Sequence, residues 1–151
     1  MKNYTSSVPV EVTVLRIEKV LVKYGASHVA KEYANGEVVG LTFTIQLPTT
    51  GKDLRVRLPA NPPAVTKVLL DGREYLSPTA IKRIEGQARR TAWKIMQDLV
   101  EVQLSMIEME QAEFVQIFLP YILGSDGHRT FYDAVKDSGF KMLGTGEREA
   151  K

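Results

Sequence analysis

Residues 35–47 read Asn35-Gly36-Glu37-Val38-Val39-Gly40-Leu41-Thr42-Phe43-Thr44-Ile45-Gln46-Leu47, a turn signal followed by alternating apolar and polar side chains. Asn-Gly between two strand-forming runs is a strong hairpin signal, because both residues tolerate the positive φ angles of a tight turn. One side of the strand carries Val39, Leu41, Phe43, Ile45 and Leu47, and the other carries Gly40, Thr42, Thr44 and Gln46. The stretch therefore predicts the central strand of a half-buried antiparallel sheet.

Two further strands are predicted beside this one. The first covers about 27–34, before the Asn-Gly turn, and the third covers about 52–58, after the turn Pro48-Thr49-Thr50-Gly51. In the third strand, apolar Leu54, Val56 and Leu58 alternate with Arg55 and Arg57. The result is an antiparallel meander with one apolar face, which helices must cover.

Helical patterns lie on both sides of the sheet region. The spacing of Val14, Ile17, Leu21 and Tyr24 predicts a helix over about 10–24, although the valines near its start also suit a strand. Ser77-Pro78 provides an N-cap and a first-turn proline for a long helix over about 79–109. Shorter helices are predicted at about 64–70, from 114 to near Pro120, and at about 131–137.

These elements predict a single α+β domain over residues 1–143, followed by a disordered tail at 144–151. Its three-stranded antiparallel meander packs on helices, with a long helix in the C-terminal half and short terminal helices.

The long helix carries apolar residues on two sides. One stripe comprises Ile81, Ile84, Ala88, Ile95, Leu99, Val102 and Met106, and a second comprises Trp93, Met96, Val100, Leu104 and Ile107. At 1.5 Å per residue the helix is about 46 Å long, which exceeds the compact body of a chain this size. Burying both stripes requires either the C-terminal segments or another subunit. We predict a homo-oligomer that assembles through this helix.

The composition excludes several classes of function. The 151 residues contain no cysteine, which excludes thiol catalysis and disulfides, and two histidines, which argues against a histidine-rich metal site. No apolar run approaches the roughly 18 residues of a membrane span, and the first residues lack the apolar core of a signal peptide. A phosphate-binding loop, a dinucleotide fingerprint and a nucleophile elbow are also missing. We expect no catalytic residues, no cofactor, no metal and no membrane association.

The net charge of +2 conceals two blocks of opposite sign. Residues 52–94 contain ten Lys and Arg against four Asp and Glu, a local charge of +6, whereas residues 95–123 contain five acids and no base, a local charge of −5. Such an asymmetry can orient a partner, because the basic block suits phosphates and the acidic block points away from them. Two other interpretations stay open: both blocks are solvated helix faces, or the basic block pairs with the acidic block of a neighbouring subunit.

Candidate binding residues fall on two predicted elements. Arg55 and Arg57 lie on the polar face of the sheet, and the first half of the long helix carries Lys82, Arg83, Arg89, Arg90 and Lys94. Cationic and small polar side chains on an open surface suit a nucleic-acid backbone, and counterion release supplies the affinity. Tyr33 and Tyr75 are candidates for stacking on bases. Trp93 is a third candidate, but its place in an apolar stripe favours core packing.

The acidic residues permit another interpretation. Asp98 and Glu101 are three residues apart on one helix face, which is compatible with a hard cation such as Mg²⁺. Glu108 is too far along the helix to share that ion, at about 15 Å from Asp98. An acidic helix face is usually solvated, so a metal-dependent nuclease is a lesser alternative.

Several different short motifs are distributed along much of the chain. They are Val8-Pro9-Val10-Glu11, Arg16-Ile17-Glu18-Lys19, Tyr24-Gly25-Ala26, Arg57-Leu58-Pro59, Arg90-Thr91-Ala92-Trp93-Lys94, Glu113-Phe114, Phe118-Leu119-Pro120-Tyr121, Asp126-Gly127 and Thr130. In these motifs the chain resembles, over about residues 8–135, a group of small proteins encoded by bacteriophages and prophages. The resemblance implies the cytoplasm of a bacterial host as the working place. It supplies no catalytic residues.

The order helix–strand–strand–strand–helix also resembles the double-stranded-RNA-binding domain, although about 20 residues intervene here before the long helix. A meander backed by a helix is similar to the core of phage single-strand annealing proteins, which are oligomeric and hold DNA in a basic groove. The leading prediction is a phage-type nucleic-acid-binding protein, with sequence-tolerant binding of single-stranded DNA in replication or recombination. The alternative is an oligomeric interaction or inhibitor protein that binds no nucleic acid.

Overall fold

The computed structural model describes residues 2, 3 and 5–144. The elements follow in the order α1 (Val10–Tyr24), β1 (His28–Ala34), β2 (Glu37–Gln46), β3 (Asp53–Arg57), α2 (Pro62–Leu70), α3 (Pro78–Glu108), α4 (Phe114–Phe118), a 3-10 turn (Leu119–Tyr121) and α5 (Phe131–Asp137). This order confirms the predicted α+β fold and its long helix. Apart from Gly144, the predicted tail lies outside the described residues.

The sheet has the strand order β1-β2-β3, and both strand pairs are antiparallel. The turn at Asn35-Gly36 has positive φ at both positions, as a tight hairpin requires. β3 pairs with β2 so that Thr42 lies opposite Arg57 and Thr44 lies opposite Arg55. Because opposite residues share one side of a sheet, the polar face predicted from the sequence is confirmed.

A β-bulge changes the alternation near the start of β2. Glu32 pairs with Gly40, but Tyr33 pairs with Val38, so Val39 has no residue directly opposite it. Val38 is 5% exposed, whereas Val39 is 41% exposed. The prediction that Val39 belongs to the apolar face is therefore wrong, because the extra residue turns Val38 into the core instead.

The apolar face of the sheet packs against α1 and α3. The core combines residues of four elements: Val14, Ile17, Leu21, Leu41, Phe43, Ile45, Val56, Trp93, Met96 and Val100. At one end, the ring of Phe118 lies edge-on to Phe43 with centroids 5.9 Å apart and packs against Phe114 at 4.8 Å. The second predicted stripe of the long helix is thus the one that faces this core.

α2 packs against the N-terminal half of α3, and the two helices form an arm that comprises residues 62–90. Ser77 Oγ accepts the backbone N–H of Ala80 at 3.2 Å, which confirms the predicted N-cap. Ile84 and Ala88 of α3 are buried, but no residue of α2 is. The arm therefore depends on a small apolar contact of its own rather than on the main core.

The chain after α4 returns to the free edge of β3. The backbone N–H of Leu123 donates to the carbonyl of Arg55 at 2.8 Å. Thr130 then caps α5, and Asp133 completes the capping box. This extension places residues 124–129 beside β3, an arrangement that no sequence pattern predicts.

Candidate nucleic-acid interface

Four of the predicted cationic residues share one side of α3. Lys82 and Arg83 lie two turns before Arg89 and Arg90, and residues seven and eight apart return to the same side of a helix. The set extends about 12 Å along the axis. These four residues, together with Gly86 between the two pairs, are called the basic face of α3. The basic face points away from α2, because the positions that pack beneath α2 lie on the opposite side of the helix.

Gly86 lies at the centre of the basic face. A Cβ atom at this position would be 3.5 Å from Nη1 of Arg90 and 3.8 Å from Nη2 of Arg89. Both guanidinium groups therefore lean over the bare backbone of the helix. A glycine inside a helix costs about 1 kcal/mol relative to alanine, so helix stability alone does not favour it. The missing side chain leaves the space above the backbone to the two guanidinium groups.

Neighbouring groups hold two of the arginines in place. Arg90 donates from Nε to the carbonyl of Ser6 at 3.1 Å and from Nη2 to Oε1 of Gln87 at 2.9 Å. Nε of Arg89 lies 3.6 Å from Oε2 of Glu37. Both side chains stay partly exposed. A guanidinium has five N–H donors, so each arginine keeps donors for an anion.

Lys82 and Arg83 are the freest cations of the basic face. Both are exposed, and neither forms an ion pair with any described residue. A phosphate can therefore approach them without breaking an existing pair.

Arg55 and Arg57 do not join the basic face. They project from the polar face of the sheet, whereas α1 and α3 cover the apolar face. Nη2 of Arg57 donates to Oε2 of Glu32 at 2.8 Å. Strand alternation places Asp53 on the same polar face, so two acids offset the two arginines. The sheet face is consequently not a strongly basic surface.

Gly40 makes room for the ion pair on the sheet. A Cβ atom at Gly40 would lie 2.9 Å from Oε2 of Glu32, the residue opposite it on β1. The glutamate thus crosses β2 at the glycine and reaches Arg57 on β3. A count of charges along the sequence does not reveal this ion pair, which joins β1 to β3 across β2.

Arg55 is partly occupied by the loop beside β3. A Cβ atom at Gly127, where φ is +75°, would lie 2.9 Å from Nη2 of Arg55. Oδ1 of Asp126 accepts the backbone N–H groups of His128 and Arg129 at 2.9 and 3.0 Å. These hydrogen bonds lower the pKa of Asp126, because they stabilise its charged form. They also fix the conformation of the loop.

Lys94 belongs to a polar network rather than to the basic face. Its Nζ lies 3.2 Å from Oε1 of Gln97 and 3.9 Å from Oδ1 of Asp98. Asp98 also pairs with Lys2 at 3.4 Å, and Gln97 donates to Glu101 at 2.9 Å. The two acids considered as magnesium ligands are thus engaged by the chain's own amide and ammonium groups.

The predicted aromatic residues differ widely in accessibility. Tyr75 lies in the connection between α2 and α3 and is 88% exposed. Tyr33, near the end of β1, is also exposed. Trp93 is fully buried, and its indole N–H has no hydrogen-bond partner among the described residues. Trp93 therefore cannot stack on a base. Its place in the core is the one that the apolar stripe predicted.

Sequence reasoning missed the groups that shape the basic face. A cavity of about 590 Å³ separates the β1–β2 turn from the arm, and Arg89, Glu85 and Glu37 line it. Ser6 and Gln87 hold Arg90 from the other side. The one signal available beforehand was Gly86, since an isolated glycine within a helical pattern indicates a packing or functional reason.

Neither a metal site nor a membrane helix is found in the part of the chain that the structure describes. No group of three or more His, Asp and Glu residues there could hold a metal ion. No helix there has the length and apolar character to cross a membrane. A comparison with protein-family models, curated proteins and solved structures found no match to this chain.

Proposed function

We propose that this protein binds nucleic acid, single-stranded DNA in particular, through the basic face of α3. One observation carries the proposal: four cations, three of them without a carboxylate partner among the described residues, surround the helix backbone at Gly86. Phosphates are the ligands such a cluster suits, because each neutralised phosphate releases condensed counterions.

Each residue has a distinct role in this binding. Lys82 and Arg83 neutralise phosphates directly, since no ion pair has to be broken. Arg89 and Arg90 present oriented N–H donors, which suit the fixed geometry of a phosphate. The face is about 12 Å long, so it can contact a short run of successive phosphates of one strand.

The exposed ring of Tyr75 supports a preference for single strands. It lies two residues before the N-cap of α3, at the same end of the arm as Lys82. Aromatic rings stack on unpaired bases with little dependence on sequence. We therefore expect sequence-tolerant binding, as in replication or recombination. The resemblance to phage and prophage proteins supports the cytoplasm of a bacterial host as the place.

Fluorescence anisotropy across a salt series tests the proposal. The wild type should bind a labelled single-stranded oligonucleotide with an affinity that falls steeply as salt rises. The double variant Lys82→Ala/Arg83→Ala should flatten the slope of log affinity against log salt by about 1.4, at about 0.7 for each lost phosphate contact.

A matched control is Lys19→Ala/Lys23→Ala, which removes two exposed lysines from α1 and changes the net charge equally. It should leave the slope nearly unchanged. Equal losses in both double variants would mean that net charge alone attracts the DNA, and no binding at low salt would overturn the proposed function. A duplex of the same sequence tests the preference for single strands, which Tyr75→Ala should weaken.

A further inference from the structure

The cavity between the β1–β2 turn and the arm lies beside the basic face of α3. Four segments meet around it: the β1–β2 turn with the start of β2, the connection after β3, the first turns of α2, and α3. Its volume is about 590 Å³, within the range of pockets that hold small ligands. Arg89 lines the cavity and also belongs to the basic face. A strand that lies on the basic face therefore passes the rim of the cavity.

The walls of the cavity are largely apolar, formed by Val39, Ala60, Pro62 and Pro63. The β-bulge supplies one of them, because it leaves Val39 41% exposed at the cavity instead of in the core. The two prolines begin α2 and have no N–H, and the N–H of Ala64 already donates to Oδ1 of Asn61 at 3.2 Å. The start of α2 is consequently an apolar wall and offers no donors to an anion.

The charged groups of the cavity suit a hydrogen-bond donor rather than a phosphate. Glu37 and Glu85 line it together with Arg89, so two carboxylates stand against one guanidinium. Oε2 of Glu37 lies 3.6 Å from Nε of Arg89, whereas Glu85 is exposed and forms no ion pair with any described residue. An ionised carboxylate only accepts hydrogen bonds, so Glu85 repels phosphate and attracts N–H groups.

We propose that this cavity receives one base of the strand held by the basic face, with a preference for guanine, an inference that rests on the proposed function. Guanine presents two N–H donors side by side, at N1 and at the exocyclic amine, and both can donate to the carboxylate of Glu85. O6 of guanine lies next to them and accepts from Arg89, which follows Glu85 by four residues and so neighbours it on the helix. The apolar walls pack against the faces of the ring.

The other bases match these groups less well. Thymine has a single N–H between two carbonyl oxygens, which would face a carboxylate unfavourably. Adenine and cytosine each offer one amino group beside a ring nitrogen that accepts, so they satisfy one carboxylate oxygen only. In a duplex the same edge of guanine is occupied by its partner base, so the cavity adds to the preference for single strands. The phosphates remain bound without regard to sequence, and one position of the strand is read.

Anisotropy with short labelled oligonucleotides tests the preference. An oligothymidine with one central guanine should bind about fivefold or more tightly than the plain oligothymidine, as expected for one bidentate contact to a base. Hypoxanthine in place of that guanine should lose most of the gain, because it lacks the exocyclic amine. Equal affinity for all three oligonucleotides would overturn the inference and leave the proposed function intact.

Glu85→Gln tests the residue that reads the base. The variant keeps the shape of the side chain but replaces one acceptor with a donor, so the preference for guanine should fall about fivefold or more while binding of plain oligothymidine persists. Glu108→Gln is the matched control, since it removes the same charge from an exposed position at the other end of α3. A preference that survives Glu85→Gln would contradict the assignment.

An NMR titration with mononucleotides separates this inference from the proposed function. Deoxyguanosine monophosphate and thymidine monophosphate carry the same phosphate and sugar. The first should shift the amide signals of residues 34–39 and 64–66 in the full-length protein, and the second should leave them nearly unchanged. If oligonucleotides fail to bind at low salt, the proposed function falls, and this titration alone decides the cavity. Identical shifts from both mononucleotides, or none from either, would overturn the inference.

Discussion

The two halves of α3 expose opposite kinds of surface. In the N-terminal half, α2 covers the outer apolar side, and the basic face is left to solvent. In the C-terminal half, the side that corresponds to the basic face is buried in the main core, and Val102 on the other side is 59% exposed. The difference arises from what packs on the helix, a nine-residue α2 on one half and the sheet with α1 on the other.

This contrast shows how one helix can expose different sides along its length. In the N-terminal half of α3 the side beneath α2 is buried, and in the C-terminal half the side that faces the main core is buried. The exposed side of the helix changes accordingly. The change of charge follows the same division, from +6 in residues 52–94 to −5 in residues 95–123. Each half can therefore be perturbed separately.

The largest expected effect is the loss of the main core on substitution of Trp93. Its ring is fully buried between the sheet and α3. Trp93→Ala should lower the free energy of unfolding by about 3–5 kcal/mol, the usual cost of a buried aromatic side chain. Urea denaturation followed by far-UV circular dichroism measures it. A loss below about 1 kcal/mol would mean that this half of α3 is not anchored in the core.

A smaller and local effect is expected in the arm. Ile84→Ala should cost about 2 kcal/mol, at the lower end of the range because α2 can settle onto the shorter side chain. Hydrogen exchange should then accelerate in α2, while the amides of β2 keep their protection. Faster exchange throughout the protein would show that arm and core unfold as one unit, which would contradict the separation of the two halves.

Substitution of Gly86 should have opposite effects on stability and on binding. The new methyl group would make only ordinary contacts, at 3.5 Å or more, with the two guanidinium groups. Gly86→Ala should therefore raise the free energy of unfolding by about 0.5–1 kcal/mol, through helix propensity. The affinity for DNA should fall at the same time, because the methyl group blocks the helix backbone at position 86, beneath the guanidinium groups of Arg89 and Arg90. Unchanged affinity would show that the ligand does not approach the helix there.

The smallest effect is a pH dependence of α5. Hydrogen bonds from the backbone N–H and side chain of Thr130 hold the pKa of Asp133 below its ordinary value of 3.8. Because the folded-state pKa is the lower one, this stabilisation is present above pH 3.8 and is lost as pH falls through the folded-state value. NMR signals of α5 should shift in that acidic window, ahead of those of the sheet, and Asp133→Asn should remove the early transition.

The sequence patterns predict elements better than they predict contacts between elements. The Asn35-Gly36 turn, the N-cap at Ser77 and the helix at α5 depend on neighbours in the chain, and the structure confirms each of them. The bulge at Val39 escaped prediction because the pattern of apolar residues alone does not reveal an unpaired residue. Both Val38 and Val39 suit a core position, so only the register with β1 decides between them.

The candidate site shows the same limit. Spacing along α3 suffices to place Lys82, Arg83, Arg89 and Arg90 on one side of the helix, because a helix fixes the angle between residues. Glu32 on β1 offsets the positive charge of Arg57 on β3. The two side chains meet above Gly40 of β2, so the pair depends on the strand order. Ion pairs between distant parts of the chain follow from tertiary structure, so counting charges overestimates the basic surface of the sheet.

The most direct measurement compares two charge-reversed double variants in one binding assay. Lys82→Glu/Arg83→Glu alters the basic face of α3, and Lys19→Glu/Lys23→Glu changes the net charge equally at two exposed positions of α1. We expect the first to weaken binding of single-stranded DNA roughly tenfold or more at low salt, and the second to weaken it far less. If Lys82→Glu/Arg83→Glu leaves DNA binding intact, the basic face of α3 is not the nucleic-acid interface.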